Sequence, residues 1–313
     1  MKYCLLTLVP AALLAQSVAT TYTVDINGRR VEANSLASSK AGEKTEISQS
    51  VNGKLVPKEQ TETRVISQTP GEKVTETFDR KFDENGQLVS TERVLTTERK
   101  TADGGSSTQA TVYRSDLNGP MQEAERRKID TRPQGPARAT SDVTIARPAI
   151  GGGFETVEQR KIVKTEEPNR THEEQTVYLK STSGDFVEKR RTQTDSQKSG
   201  DKTQATIQNY EADYTGRMAL LNQETSTTVA SKDGKQVIER DIYASASDGV
   251  PRDEQGGQKL KEHQTIVRTP GAGGSVTETV SVQRPTLADQ AHLGAPVQIS
   301  ETVCTGKCEA GKP

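Results

Sequence analysis

The chain of 313 residues is long enough for about two ordinary domains, but its composition excludes two conventional hydrophobic cores. Apolar residues make up 30% of it, against roughly 45–50% in a typical globular domain, and aromatic residues make up only 4%. The net charge is −1, from 42 basic and 43 acidic residues that are interspersed rather than grouped in blocks. Because this balance leaves no basic field for nucleic acid or for an anionic membrane, we expect neither as a partner.

The N-terminus has the features of a secretory signal peptide. Lys2 supplies the positive charge, residues 5–14 form a short apolar stretch, and Ser17-Val18-Ala19 supplies small residues before a cleavage site after Ala19. The alternative is a buried strand or a short helix at the start of the protein. No later stretch approaches the ~18 apolar residues of a transmembrane helix. We therefore expect an exported bacterial protein, periplasmic, cell-surface or extracellular, with no transmembrane segment in the mature chain.

A glycine recurs at nearly constant spacing through the middle of the chain. The successive gaps are 33, 33, 33, 32, 32 and 33 residues. A second set of turn signals, including Pro70-Gly71 and Asp233-Gly234, lies about halfway between these glycines, so turns come every 16 to 17 residues. After ~3–4 residues for each turn, this leaves strands of about 11–13 residues. The recurring glycines, which we interpret as structural turn residues, are Gly53, Gly86, Gly119, Gly152, Gly184, Gly216 and Gly249.

This spacing predicts an all-β fold, an extended antiparallel up-and-down meander of ~33-residue two-strand repeats in a single-layer or coiled sheet. We divide the chain into the signal peptide (1–19), an N-terminal hairpin and linker (20–46), the β-hairpin repeat array (47–250), and atypical C-terminal strands and tail (251–313). Within the second part, residues 35–42 are small and polar and are predicted to be the linker. The spacing does not distinguish an open sheet from a barrel or a solenoid.

Apolar side chains mark two further positions of the repeat, and we expect them to face each other across a hairpin as a cross-strand pair. Between these positions the alternation is weak, and the segment RRKIDTR at 126–132 has one apolar residue in seven. Strands this polar argue against an outer-membrane barrel, which needs a lipid-facing apolar band. The position two residues after the turn glycine holds Leu55, Leu88, Met121, Phe154, Phe186 and Met218. The position six residues before it holds Ile47, Tyr113, Ala146, Tyr178, Tyr210 and Tyr243.

The turn at Gly86 resembles a known repeat. Its sequence Phe82-Asp83-Glu84-Asn85-Gly86-Gln87-Leu88 is similar to the YD repeats of large bacterial secreted shell and toxin-delivery proteins, in which Tyr-Asp-x-x-Gly-Arg-Leu recurs on a hairpin. The segment from Tyr214 to Met218 echoes the same pattern. The period of this chain is longer, and most units lack the Tyr-Asp pair. The resemblance implies β-hairpins and an extracellular location, and it implies no toxin activity.

Motifs for catalysis, cofactors and metals are missing from the sequence, so we predict no catalytic, cofactor-binding or metal-binding residues. The three histidines, His172, His263 and His292, are far apart, and no His-x-x-x-His pair exists. A row of carboxylates six residues after the turn glycine could bind calcium, but we favour pairing of each with a basic residue on the next strand. This row comprises Glu59, Glu92, Glu125 and Glu158.

Two cysteines remain after removal of the signal peptide. Cys304 and Cys308 lie close together, and in an oxidising compartment such a pair is expected to form a disulfide. The alternative is two free thiols in a frayed tail. A loop this small would cross-link little chain, so the disulfide would act as a staple at the end of the protein.

Two functional hypotheses from different classes follow. The first is a non-enzymatic exported β-repeat protein with a structural or interaction role at the cell envelope or outside the cell, as an adhesin or a scaffold. Its partner is unknown, and a cell-surface or extracellular polymer or protein is the expected kind. The alternative is a secreted enzyme or carbohydrate-active module with its site in residues 250–313. A single cleft with convergent polar groups favours the enzyme, whereas equivalent surfaces repeating along the sheet favour the scaffold.

Overall fold

The computed structural model describes residues 17–24, 29–41, 43–116, 119–245, 258–286 and 292–306. Over these residues the chain consists of β-strands joined by turns, with one short 3-10 helix at Ala272–Gly274. No helix in this part of the chain is both long enough and apolar enough to cross a membrane. The predicted all-β class is therefore confirmed.

The described residues contain eighteen strands that follow one another in chain order, and most have the length that the turn spacing predicts. They are β1 (Ser17–Val24), β2 (Arg30–Ala41), β3 (Lys44–Val51), β4 (Lys54–Gln68), β5 (Glu72–Phe82), β6 (Leu88–Lys100), β7 (Ser106–Asp116), β8 (Gln122–Pro133), β9 (Arg138–Pro148), β10 (Phe154–Glu167), β11 (Arg170–Lys180), β12 (Phe186–Ser199), β13 (Lys202–Ala212), β14 (Met218–Ala230), β15 (Gln236–Ser245), β16 (Gln258–Pro270), β17 (Val276–Gln283) and β18 (Val297–Gly306).

The strands form one closed antiparallel sheet. Each strand pairs with its neighbours in sequence, and β1 pairs with both β2 and β18, which closes the meander into a barrel of 18 strands. The predicted up-and-down meander is confirmed. The sequence did not distinguish an open sheet from a barrel or a solenoid, and the structure shows a barrel. A closed sheet has no edge strand with unpaired backbone groups.

The N-terminal region differs from the prediction at one point. Residues 35–41, predicted to be a linker, belong to β2, which pairs with β1 on one side and with β3 from Leu36 to Ala41 on the other. Small polar side chains suit a strand here because backbone hydrogen bonds on both sides supply the pairing. β1 itself begins at Ser17, so cleavage after Ala19 would leave Thr20–Val24 of this strand.

A β-bulge recurs at one position of the repeat. In five of the strands that follow a turn glycine, the register skips the residue five positions after the glycine, as between Asn222 and Leu220, which face Asn209 and Tyr210. After Gly86 the register skips Val89 instead. The extra residue shifts the alternation of side chains by one, so Leu220 and Asn222 lie on opposite faces although they are two residues apart. The bulge shifts the alternation once within such a strand, whereas in regular stretches such as 126–132 the alternation is weak because few side chains are apolar. The residues skipped five positions after the glycine are Lys58, Ala124, Val157, Lys189 and Leu221.

The registers define two faces of the barrel. The face that carries Val112 holds most of the buried residues, whereas the opposite face holds only a few, such as Glu76 and Thr140. Because side chains converge on the concave side of a closed sheet, we assign the face with Val112 as the inner face. Most other side chains on both faces are half-buried, so the barrel has no continuous dry core, as expected for a barrel of this strand number.

Candidate functional site: an aromatic and arginine belt on the outer face

The aromatic side chains at the two apolar positions of the repeat lie on the outer face of the barrel, near the end where the turn glycines are. Tyr210 is directly opposite Leu220, and Met218 is opposite Ala212, so the two apolar positions of the repeat are diagonal neighbours and not a direct pair. The prediction of a direct pair is wrong because the turn is longer than assumed: its backbone hydrogen bond joins Asp213 to Arg217. Diagonal neighbours on one face are still within reach of large side chains.

We call this surface the aromatic–arginine belt. Its rings lie on the outer face of β5, β7, β10 to β13 and β15, and all of them are half-buried. Ile47, at the same position of the first unit, is on the inner face instead, since it pairs with Glu59 beyond the bulge at Lys58. The belt comprises the rings of Phe78, Phe82, Tyr113, Phe154, Tyr178, Phe186, Tyr210 and Tyr243 together with Arg64, Arg80, Arg93, Arg126 and Arg191.

Arginine side chains lie over several of these rings. Arg93 is opposite Phe78 on one side and opposite Tyr113 on the other, and its guanidinium carbon is 5.3 Å from the centre of the Tyr113 ring. The corresponding distances from Phe78 are 5.5 Å for Arg64 and 5.4 Å for Arg80. These distances are in the range of cation–π attraction, which is worth about 0.5–1 kcal/mol at exposed sites. Arginine and aromatic side chains therefore alternate across β4 to β7.

Arg126 and Phe154 make the closest contact of the belt on β8 and β10. The guanidinium carbon of Arg126 is 4.1 Å from the centre of the Phe154 ring. The belt therefore continues past β9, where Ala146 occupies the repeat position.

A buried carboxylate fixes the arginines at the centre of the β4–β7 cluster. Glu76, only 2% exposed, accepts hydrogen bonds from Nε of Arg64 at 2.5 Å and from Nε of Arg93 at 2.6 Å. Burial by itself would raise the pKa of Glu76, but the hydrogen bonds and positive charges of Arg64 and Arg93 outweigh it, so the pKa is lowered. The carboxylate stays ionised and orients both guanidinium groups toward their rings.

The recurring bulge creates a second kind of arginine pair. Arg126 donates to Glu123 from Nε at 2.5 Å and from a terminal nitrogen at 3.2 Å, across the bulge at Ala124. The hydrogen bond from Arg126 lowers the pKa of Glu123. Arg191 and Glu188 form the equivalent pair at 2.9 Å across the bulge at Lys189. In a regular strand, residues three apart would lie on opposite faces, so the bulge makes these pairs possible.

The predicted row of glutamates is on the inner face. Glu92 pairs with Arg114 of the next strand at 2.7 Å, and Glu125 binds Arg147 of the next strand at 3.2 Å, as predicted. Glu158 differs, since its partner at 2.5 Å is Arg160 of its own strand. Glu59 is opposite Lys81 in the register. The described residues contain no group of three or more His, Cys, Asp or Glu side chains suited to a metal ion.

The inner row also contains a buried charge. Glu125 is 3% exposed and additionally accepts a hydrogen bond from Arg127 at 2.5 Å. Burial would raise the pKa of Glu125, but the hydrogen bonds and charges of Arg127 and Arg147 lower it overall. A groove of about 460 Å³ on the inner face is lined by further charged side chains, including Glu59, Asp79 and Glu92.

The histidines lie apart from one another. Nδ1 of His172 is 2.9 Å from Asp195 on the outer face of β11 and β12. His263 on β16 contacts Asp241 at 2.7 Å and Glu239 at 2.9 Å. His292 lies in the segment before β18. The structure therefore brings none of the three together.

The turn glycines and cysteines are partly described. Positive φ angles of 76°, 78°, 89°, 96° and 83° are found at Gly53, Gly86, Gly152, Gly184 and Gly216. Gly119 adjoins residues outside the described part of the chain, and Gly249 lies outside it. Cys304 is buried and disulfide-bonded, whereas Cys308, its predicted partner, is beyond the described residues.

A scan against protein-family models finds no match, and a search of curated proteins finds no similar sequence. The fold and the site therefore define a class of protein by themselves: a closed, 18-stranded antiparallel barrel with an aromatic–arginine belt on its outer face. The resemblance to YD repeats stays a prediction.

Proposed function

We propose that this chain is a non-enzymatic exported protein with a structural or interaction role at the cell envelope or outside the cell, as an adhesin or a scaffold. The observation that carries the proposal is the aromatic–arginine belt. Its recognition groups recur from hairpin to hairpin instead of converging in one cleft, which is the arrangement expected of a surface that makes many equivalent weak contacts.

The residue types of the belt support this role. Tyr, Phe and Arg are enriched at the centres of protein recognition surfaces because they combine a large contact area with defined hydrogen-bond donors. Here the guanidinium groups are already held by Glu76, Glu123 and Glu188, so that little side-chain freedom is lost when a partner binds.

The alternative, an enzyme with its site in residues 250–313, has less support among the described residues of that region. β16, β17 and β18 continue the same sheet with the same antiparallel pairing. The one histidine on these strands, His263, is engaged by Asp241 and Glu239 of the neighbouring strand.

Fractionation and binding test the proposal together. We expect the protein to leave the cytoplasm of the producing cells after loss of residues 1–19, and the purified mature protein to bind isolated cell envelopes saturably. The double substitution of Tyr113→Ala and Tyr210→Ala should abolish most of this binding. The matched control replaces Gln109 and Gln204 by Ala, exposed outer-face residues of the same two strands that lie away from the belt. A protein that stays in the cytoplasm with residues 1–19 attached, or that shows no saturable binding to the envelopes, would contradict the proposal.

A further inference from the structure

The belt repeats with the spacing of the hairpins, and this limits what can occupy it. Neighbouring strands of a sheet are about 4.8 Å apart, so equivalent positions of successive hairpins are roughly 9–10 Å apart. Tyr178 and Tyr210 occupy equivalent positions of successive units on β11 and β13. A ligand that uses several such positions at once must itself be an extended chain with a short repeat. A polymer of sugar units meets this condition, and a compact small molecule does not.

The charges of the belt indicate which kind of polymer. Arg64 and Arg93 share Glu76, and Arg126 is paired with Glu123. Two carboxylates thus offset two of these three positive charges, which leaves a single net positive charge among the three arginines. A polyanion would gain little net attraction from this surface and would be repelled by the carboxylates. A neutral chain that carries hydroxyl groups has no such penalty.

Paired guanidinium and carboxylate groups match the chemistry of sugar hydroxyls. A hydroxyl group both donates and accepts, so adjacent hydroxyls can accept from the arginine and donate to the glutamate. The side chains of Arg64 and Arg126 remain 55% and 56% exposed, so their remaining donors are accessible. The half-buried rings beside them offer apolar surface for the C–H face of a sugar ring.

Building on the proposed function, we infer that the aromatic–arginine belt binds a neutral polysaccharide chain of the cell envelope or extracellular matrix, which lies across successive hairpins. The rings contact the sugar rings, and the arginine–glutamate pairs hydrogen-bond the hydroxyl groups.

The test measures binding of the purified mature protein to isolated envelopes and matrix of the producing cells after two treatments. Periodate cleaves vicinal diols of polysaccharides, and protease removes proteins. We expect periodate to abolish binding and protease to leave it intact. We also expect the affinity to change less than about twofold between low and high salt, because the ligand is neutral. Soluble neutral polysaccharides and the polyanion alginate serve as competitors, and only neutral chains should compete.

The belt is tested with the two double variants defined above, after circular dichroism and thermal unfolding show that both are folded. The loss of Tyr113 and Tyr210 should weaken binding at least about tenfold, and the loss of Gln109 and Gln204 should leave it within about twofold. If the tyrosine variant fails to fold, the more conservative Tyr210→Leu replaces it, and it should weaken binding by about threefold or more, because a branched aliphatic side chain lacks the flat surface of the ring.

The outcomes separate this inference from the proposed function. Binding that is destroyed by protease, or that falls steeply with salt and is competed by alginate, overturns the neutral polysaccharide and leaves an interaction protein. Periodate-sensitive binding that both double variants retain overturns the belt as the site. The absence of any envelope binding overturns both proposals.

Discussion

At the scale of the residue, the buried carboxylate Glu76 determines how the outer surface is arranged. It holds Arg64 and Arg93, which in turn lie over the rings of Phe78 and Tyr113. A carboxylate buried between two arginines on the outside of a polar sheet is unusual, because its desolvation has to be offset by both partners. One glutamate thus links four side chains of the belt.

Replacing Glu76 by Gln keeps the shape of this side chain and removes its charge. We expect the free energy of unfolding to fall by about 1–2 kcal/mol, below the full cost of breaking a buried pair because both arginines are partly exposed to water. Urea denaturation measures the change, with Glu98→Gln as the control, since Glu98 is exposed. Equal midpoints for the two variants would show that Glu76 does not organise the cluster.

The lowered pKa values of Glu76 and Glu125 predict a dependence of stability on pH. Because the pKa of each is lower in the folded state, their stabilisation is complete above the usual glutamate value of about 4.3 and is lost as the pH falls from there through the folded value. We expect the free energy of unfolding to decrease with acid in this range. The decrease should be smaller in the double variant Glu76→Gln and Glu125→Gln. An identical pH profile for the two proteins would contradict the assignment.

Part of this residue-scale picture was predictable from the sequence. The tyrosines were found because they recur at one offset from the turn glycine, and a basic partner on the next strand was correctly expected for Glu92 and Glu125. The role of Glu76 could not be predicted, because Arg64, Glu76 and Arg93 are on three different strands. Only the register of these strands shows that the three side chains are neighbours.

At the scale of the element, the observed hairpins differ from regular hairpins by the recurring bulge, which adds one extra residue to the strand after the turn glycine. The turn spacing predicted the length of most strands well, but residue counts do not reveal which position in a strand is the extra one. The linker prediction was wrong for 35–41, which belong to β2, because a small polar strand with little alternation cannot be told from a loop.

Deletion of the bulge residue Ala124 tests this element. Without it, Glu123 and Glu125 become adjacent, keep their opposite faces and stay opposite Tyr113 and Val112, so the ladder becomes regular. We expect a loss of only about 1 kcal/mol of unfolding free energy, measured by urea denaturation. Deletion of Lys128, in the regular part of the same strand, moves every side chain on one side of it to the other face and should cost about 3 kcal/mol or more. Equal losses for the two deletions would show that Ala124 is not the extra residue of the strand.

At the scale of the whole molecule, closure through β1 and β18 defines the architecture. The ladder from Ser17 opposite Gly306 to Tyr22 opposite Glu301 gives these strands partners on both sides, like every other strand. The sequence could not predict closure, because β1 and β18 are the most distant strands of the chain. No sequence pattern in either strand indicates that it pairs with the other.

Hydrogen exchange followed by mass spectrometry tests closure. In a closed sheet the amides of β18 should exchange as slowly as those of a central strand such as β9. An open meander with the same hairpins would leave β18 as an edge strand, whose outward amides exchange fast. Deletion of Thr20–Val24 should convert the first pattern into the second and promote aggregation. Fast exchange in β18 of the intact protein would contradict the closed form.

Antiparallel closure has a consequence for how such a chain can change in length. The first and last strands run in opposite directions only when the total number of strands is even. Gain or loss of one strand would force a parallel junction, whereas gain or loss of a whole 33-residue unit would preserve the pattern of hydrogen bonds. Homologues of different size should therefore differ by complete hairpins, and the circumference of the barrel should change in steps of two strands.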